Sequence, residues 1–100
     1  MERIVGIYFR NQMFYRERPG EGHKEVAERI IKKFNLKFLR GDPVDFLIDQ
    51  GAIKIGNRYG NDRIIIFRGL KIDNGGAKII EHYQNCGWKV TDMDIDVNWL

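Results

Sequence analysis

Polar and apolar residues alternate strictly through the C-terminal segment TDMDIDVNW. This period of two predicts a β-strand with one buried and one exposed face. The residues on the two faces are Met93, Ile95, Val97 and Trp99, and Asp92, Asp94, Asp96 and Asn98. A strand of this kind needs neighbouring strands and a layer that covers its apolar side. The chain is therefore expected to be built on a sheet.

Two segments have the spacing of amphipathic helices. The first starts at His23, carries lysines in its last turn and ends near Asn35, which can adopt the left-handed capping conformation. Its apolar stripe is Val26, Ala27, Ile30, Ile31 and Phe34. The second starts at Asn74 and ends before Gly87, with the stripe Ile79, Ile80, Tyr83 and Cys86. These stripes predict two helices that pack on the sheet.

Several segments have strand composition. Arg3–Phe9 and Gln12–Arg16 are expected to form a hairpin around Arg10 and Asn11. Leu36–Arg40, AIKIG and RIIIFRG are further expected strands, and Gln50-Gly51 is the expected turn into AIKIG. VDFLID is assigned as a strand, although Asp42 as N-cap and Pro43 at the first helical position would equally start a short helix.

The elements together predict an α/β (α+β) fold, with a single mixed sheet of about five or six strands packed by two helices. Residues 1–100 are expected to form one domain, since this length supports one modest core. A weak internal repeat, with RIVGIYF and RIIIFRG each followed by a helix and a strand, gives a ferredoxin-like βαββαβ arrangement as the alternative topology.

Charge and cysteine content restrict the class of protein. The net charge is +3, but residues 1–40 hold ten basic and five acidic residues, whereas residues 73–100 hold two and five. This asymmetry suits a phosphate-rich or acidic partner, and is also common on solvated surfaces. Cys86 is the only cysteine, which excludes an internal disulfide and favours a reducing, cytoplasmic location. No apolar run predicts a signal peptide or a membrane span.

The order helix, strand, strand, strand, helix, strand between His23 and Asp96 resembles the core of the PD-(D/E)xK nucleases, including the resolvase-like and VRR-type members. Glu25 on the first helix, Asp45 in PVDFLI and Gln84 in NGGAKIIEHYQNCGWKV match acids and a glutamine of that family. The resemblance implies a nuclease-like αβββαβ core, which is the preferred topology.

The chain lacks the acid of the family's E-x-K pair. At the two registers where the pair should fall, the sequence has Ala52-Ile53-Lys54 or Arg68-Gly69-Leu70-Lys71. Mg²⁺ in such a site requires clustered hard oxygen ligands, and a single carboxylate holds it poorly. His82 and Cys86 lie one helical turn apart without further ligands. The sequence therefore favours a non-catalytic protein without a metal or another cofactor.

Arginines alternate with aromatic residues in YFRNQMFYRER and again in NRYGNDR, which suits phosphate contacts and base stacking. The loop RPGEGHKE, which leads into the first helix, either holds a phosphate or carboxylate or simply turns the chain. These features predict a small nucleic-acid-associated module that binds the phosphate backbone. The candidate binding residues are Arg16, Arg18, His23, Lys24, Arg58 and Tyr59.

The acidic face of the C-terminal strand supports an alternative function. Asp92, Asp94 and Asp96 stand about 7 Å apart along one face, too far to share one ion, and lack the glycine and glutamate of an EF-hand. They are expected to pair with arginines, to protect a sheet edge, or to contact a basic protein. The alternative hypothesis is thus a protein-binding inhibitor or regulator. The sequence leaves the oligomeric state open.

Overall fold

A computed structural model describes residues 5–16, 18–58, 62–67 and 74–92. The strands are β1 (Val5–Phe9), β2 (Gln12–Tyr15), β3 (Ile53–Arg58), β4 (Asp62–Phe67) and β5 (Lys89–Asp92). The helices are α1 (His23–Lys33), α2 (Pro43–Asp49) and α3 (Asn74–Asn85). Their order along the chain is β1-β2-α1-α2-β3-β4-α3-β5.

The strands lie side by side in the order β2-β1-β3-β4-β5. The first three are mutually antiparallel, β4 pairs antiparallel with β3, and β5 pairs parallel with β4 after the crossover through α3. Within the described part of the chain, β2 therefore forms an outer edge of the sheet.

The hairpin between β1 and β2 turns at Arg10 and Asn11, as predicted. Both residues have positive φ angles, 48° and 64°. Two central residues with positive φ match the twist of the flanking strands, as in a type I′ turn. The turn places Phe9 opposite Gln12 and Gly6 opposite Tyr15.

The sheet separates two apolar layers. On one face, α1 and α2 pack on alternate residues of the strands, including Ile7, Phe9 and Phe14. On the other face, the neighbours Tyr8, Ile53 and Ile55 pack against residues of α3 and against Trp88. Side chains of β1 and β3 alternate between the two faces of the sheet, and both faces are covered by helices.

Each helix ends in the same backbone motif. The residue after each helix C-cap has positive φ: Asn35 (51°), Gly51 (99°) and Gly87 (90°). The next amide then donates to a carbonyl five residues earlier, from Leu36 to Ile31, from Ala52 to Leu47 and from Trp88 to Tyr83. This is the hydrogen-bond pattern of a Schellman motif. It confirms the predicted ends at Asn35 and Gly87, and it shows that Gly51 ends a helix where a hairpin turn was predicted.

The mixed α/β class is confirmed, but two predicted strands are wrong. VDFLID lies in α2, because Asp42 caps this helix and Val44, Leu47 and Ile48 fall on one buried side. Leu36–Arg40 has no regular secondary structure. Between α1 and α3 there is one helix followed by two strands where three strands were predicted. The predicted set of five or six strands included both segments, so it is not supported as predicted. Compared with the βαββαβ alternative, the described elements have one more strand before α1 and one more helix after it.

Among the described residues, no helix combines the length and the apolar character needed to cross a bilayer.

Candidate functional site

A cleft of about 660 Å³ opens where α1 and α2 begin. Its wall is formed by Arg16 beyond β2, by Gly20–Glu25 at the start of α1 and by Gly41–Val44 at the start of α2. The predicted phosphate loop RPGEGHKE therefore lies on one side of a cavity of the size typical of ligand sites. The opposite wall comes from the segment GDPV.

The acids of the cleft are engaged by the protein itself. Glu25 Oε1 accepts a hydrogen bond from the Gly22 amide at 2.8 Å, and Asp42 Oδ1 accepts one from the Val44 amide at 2.8 Å. Glu21 Oε1 lies 3.1 Å from Nη2 of Arg29. These carboxylates therefore order the walls of the cleft. Arg16 and Lys24 are exposed there, and neither forms an ion pair with another described residue.

His23 connects α1 to the sheet. Its Nε2 lies 2.8 Å from the carbonyl oxygen of Ile55, and the residue is 8% exposed. A carbonyl can only accept, so Nε2 carries the proton and donates. His23 was predicted to contact nucleic acid; the structure instead places its ring where it positions α1 over β3.

Lys54 is buried under the two helices. Its chain neighbours Ile53 and Ile55 face α3, so the Lys54 side chain points to the opposite face of the sheet, under α1 and α2. The residue is 0% exposed. Burial lowers the pKa of Lys54 from its ordinary value of 10.5 to about 8, while the negative charges of Asp42 and Asp45 oppose this decrease. The structure thus brings Lys54 within electrostatic reach of Asp45, the aspartate that the nuclease resemblance singled out.

Of the two registers at which the E-x-K pair was expected, the one at Ala52 lies in the described part of the chain, and the one at Arg68 to Lys71 lies outside it. Ala52 is 0% exposed and lies in the apolar cluster with Leu47 and Ile48. Asp45 lies on α2, not on a strand. In the described part of the chain, no group of three or more His, Cys, Asp or Glu side chains is placed to hold a metal ion.

Four cationic residues follow the edge formed by β2 and α1. The guanidinium of Arg10 lies 5.1 Å from the Phe9 ring centroid and 5.2 Å from that of Phe34. Lys33 Nζ lies 5.1 Å from the Phe14 centroid and 6.0 Å from that of Phe34. Arg29 Nη2 donates to the Tyr15 carbonyl oxygen at 2.7 Å. Arg16 follows Tyr15 and reaches the cleft. We call Arg10, Lys33, Arg29 and Arg16 the basic track.

The remaining predicted site residues have different positions. Arg18 borders a second, smaller depression together with Arg29. Arg58 is the last residue of β3. Tyr59, Asp94 and Asp96 lie outside the described residues, and Asp92 is the last residue of β5. The structure therefore brings Arg16, His23 and Lys24 together at the cleft, with Arg18 beside it.

Arg10, Arg29 and Lys33 were not among the predicted site residues, and Lys54 was named only as the lysine of an incomplete E-x-K pair. For Arg29 and Lys33 a signal was present, because they lie four residues apart on a helix and so share one side of it. For Lys54 the sequence did not indicate burial, since a lysine inside a strand is usually exposed.

Comparisons of this chain with protein-family models, with curated proteins and with solved structures found no match. The geometry of the cleft and the basic track is therefore the basis for the functional proposal.

Proposed function

We propose that this protein is a nucleic-acid-binding module that contacts the phosphate backbone through the basic track and does not cleave its ligand. The observation that supports this function is the row of four cations along one edge of the molecule, from Arg10 beside the hairpin turn to Arg16 at the cleft. Lys24 extends the row on the far side of the cleft.

The spacing of the row suits a polyanion. Arg29 and Lys33 are four residues apart, about one helical turn, which is about 6 Å along the axis. Phe14, which Lys33 contacts, and Arg16 are two residues apart in the chain, about 7 Å in extended backbone. The phosphates of a nucleic acid backbone also recur every few ångströms, so each can lie near one cation of the row. Neutralising these phosphates releases condensed counterions, which favours binding.

Two of the cations are held in place before any ligand binds. Arg10 and Lys33 both lie over the Phe34 ring, and each also contacts one further ring. Cation–π contacts at exposed sites contribute about 0.5–1 kcal/mol each. Because these side chains are already ordered, less conformational entropy is lost when a phosphate binds.

The proposal does not depend on the resemblance to PD-(D/E)xK nucleases. Asp45 and Lys54 interact electrostatically, but Asp45 lies on α2, whereas the resemblance placed the family's aspartate on a strand. Cleavage is not expected, because the buried Ala52 supplies no carboxylate beside Lys54 and one carboxylate is a poor ligand set for Mg²⁺.

Binding is tested by fluorescence anisotropy with labelled single- and double-stranded DNA and RNA over a range of salt concentrations. The double variant Arg16→Gln, Lys33→Gln should bind more weakly at low salt. The slope of log K against log salt should flatten by about one unit for each cation that contacts a phosphate. Lys78→Gln is the single-charge control, because Lys78 is exposed on α3 and does not belong to the basic track.

If the wild-type protein binds no polynucleotide at low salt, the proposed function is wrong. Equal losses of binding free energy per charge removed, in the double variant and in Lys78→Gln, would show that the net charge, and not the basic track, determines binding.

Catalysis is tested separately by incubating plasmid and oligonucleotide substrates with the protein and Mg²⁺ or Mn²⁺. We expect no cleavage. Metal-dependent cleavage that disappears in Asp45→Ala would replace the proposal of a non-catalytic module with that of a nuclease.

A further inference from the structure

One aromatic ring of the segment YFRNQMFYRER remains at the surface. Tyr8, Phe9 and Phe14 are buried in the two apolar layers, at 7%, 2% and 7% exposure. Tyr15 is 45% exposed, although it lies within β2 and beside the basic track. Its side chain lies on the α3 side of the sheet, since its neighbour Phe14 faces α1.

The Tyr15 ring lies against the backbone of the adjacent strand. Gly6 is its partner across β1 and β2, and a Cβ at position 6 would lie 3.0 Å from Cδ1 and 3.3 Å from Cε1 of Tyr15. A side chain at position 6 would press on the ring, which would have to shift by a few tenths of an ångström. Glycine thus allows one side of the ring to rest on β1 while the residue keeps a large exposed area.

A second neighbour of Tyr15 is on α3. Burial and an interaction with the Tyr15 side chain raise the pKa of Tyr83 to about 12. Tyr83 is itself half-buried and packs on Trp88 at 4.7 Å between ring centroids. Tyr15 therefore lies between β1 and a residue of the apolar layer on the α3 side.

We propose that an unpaired base stacks on Tyr15 while the phosphates of the same strand follow the basic track, so that the ligand is single-stranded nucleic acid. This inference rests on the proposed function and adds the class of ligand. Bases of a duplex are stacked on each other, whereas a single strand presents base faces to an aromatic side chain.

The geometry around Tyr15 links the two contacts. Its carbonyl oxygen accepts a hydrogen bond from Arg29, and the next residue is Arg16. Two cations of the track are therefore adjacent to the backbone of the residue that carries the ring. Because Tyr15 has no charge and stacking is available to every base, binding should show little sequence preference.

The test compares two labelled oligonucleotides of equal length and charge, oligo(dT) and a strand in which the sugars carry no bases. Wild-type protein should bind oligo(dT) about 10- to 100-fold more tightly, within the range found when a stacked ring is removed. Tyr15→Leu keeps an apolar side chain over Gly6 but has no aromatic face, and should bind both strands with the affinity of wild type for the abasic strand. Tyr15→Phe should retain most of the preference.

The salt dependence should be unchanged in Tyr15→Leu, because no charge is removed. Leu39→Ala is the matched control, since Leu39 is 95% exposed and its loss removes apolar surface without removing a ring. Circular dichroism and thermal unfolding establish that each variant is folded.

Three outcomes are distinguishable. A preference for oligo(dT) that is lost in Tyr15→Leu and kept in Leu39→Ala supports the inference. Equal binding of both strands by wild type, or a preference that persists in Tyr15→Leu, overturns it and leaves backbone binding intact. If wild type binds neither strand nor any duplex, the proposed function itself fails, and the inference fails with it.

Discussion

Arg29 caps the outward carbonyl of Tyr15 on the edge strand, with Nη2 donating to the oxygen at 2.7 Å. The register explains why this carbonyl needs a partner. In a hairpin with a two-residue turn, Phe9 and Gln12 form a hydrogen-bonded pair, and such pairs alternate with non-bonded pairs along the strands. The Gly6–Tyr15 pair is then non-bonded, so the backbone groups of Tyr15 point away from β1.

Replacing Arg29 with methionine should lower the free energy of unfolding by about 1 to 2 kcal/mol. A hydrogen bond to a charged group contributes about 1.5–3 kcal/mol, and the side chain of Arg29 is 30% exposed, which reduces this value. Urea unfolding followed by circular dichroism measures the difference. Glu21→Gln is the control, because it removes the ion pair and keeps the Tyr15 contact, and should cost less than about 1 kcal/mol. Equal losses would mean that the ion pair is the main contribution.

The buried amine of Lys54 should make stability depend on pH above neutrality. Its pKa is about 8 in the folded protein and 10.5 ordinarily, so between these values the unfolded chain binds more protons than the folded one. The free energy of unfolding therefore increases with pH over that interval, by about 3 kcal/mol in total.

The measurement is urea unfolding of wild type and Lys54→Met from pH 7 to pH 9.5. The difference between the two curves of unfolding free energy against pH isolates the effect of Lys54 from that of other titrating groups. As pH rises, the unfolding free energy of wild type should increase relative to that of the variant. The range stops below pH 10 because the raised pKa of Tyr83 has the opposite effect, which destabilises the fold as pH rises between 10 and 12. A constant difference would mean that Lys54 is solvated in the folded state.

Local signals predicted α1 and its end well. The stripe of Val26, Ala27 and Ile30 is buried as expected, and Asn35 has the left-handed conformation that ends the helix. These signals lie within a few residues of each other, so no tertiary information was needed. The apolar stripe predicted for α3 was less accurate, because Cys86 was assigned to it and is exposed.

The segment Asp42–Asp49 shows where such signals conflict. Its β-branched and aromatic residues favour a strand, whereas Asp42-Pro43 favours a helix start, and both assignments were compatible with the sequence. The helix forms because Val44, Leu47 and Ile48 have the i, i+3, i+4 spacing and all meet α1 and the sheet. The cleft could not be predicted with VDFLID as a strand, because the start of helix α2 is what places Gly41–Val44 opposite the loop before α1.

The N-cap of α2 can be tested directly. Asp42→Ala removes the acceptor for the Val44 amide and should cost about 1 kcal/mol of unfolding free energy, whereas Asp42→Asn keeps an acceptor and should cost less. Both variants also remove a negative charge that raises the pKa of Lys54, so that pKa should fall further. Thermal unfolding gives the stability, and NMR titration of Lys54 gives the pKa. If Ala and Asn cost the same, the side chain of Asp42 does not cap the helix in solution.

The burial of α1 is tested by two neighbouring isoleucines. Ile30 is 0% exposed in the cluster with Ile7, Leu47 and Ile48, whereas Ile31 is half-buried at its border. Ile30→Ala should lower the free energy of unfolding by about 2 to 5 kcal/mol, because it removes the transfer energy and leaves a cavity. Ile31→Ala removes the same atoms with the same helix propensity and should cost about 1 kcal/mol, since part of that side chain is already in water.

Urea unfolding, with m-values that do not change between variants, measures both losses. A larger loss for Ile31→Ala would mean that α1 is rotated about its axis by about 100°. Arg29 and Lys33 of α1 would then point away from β2, and their contacts with Tyr15 and Phe14 would be wrong.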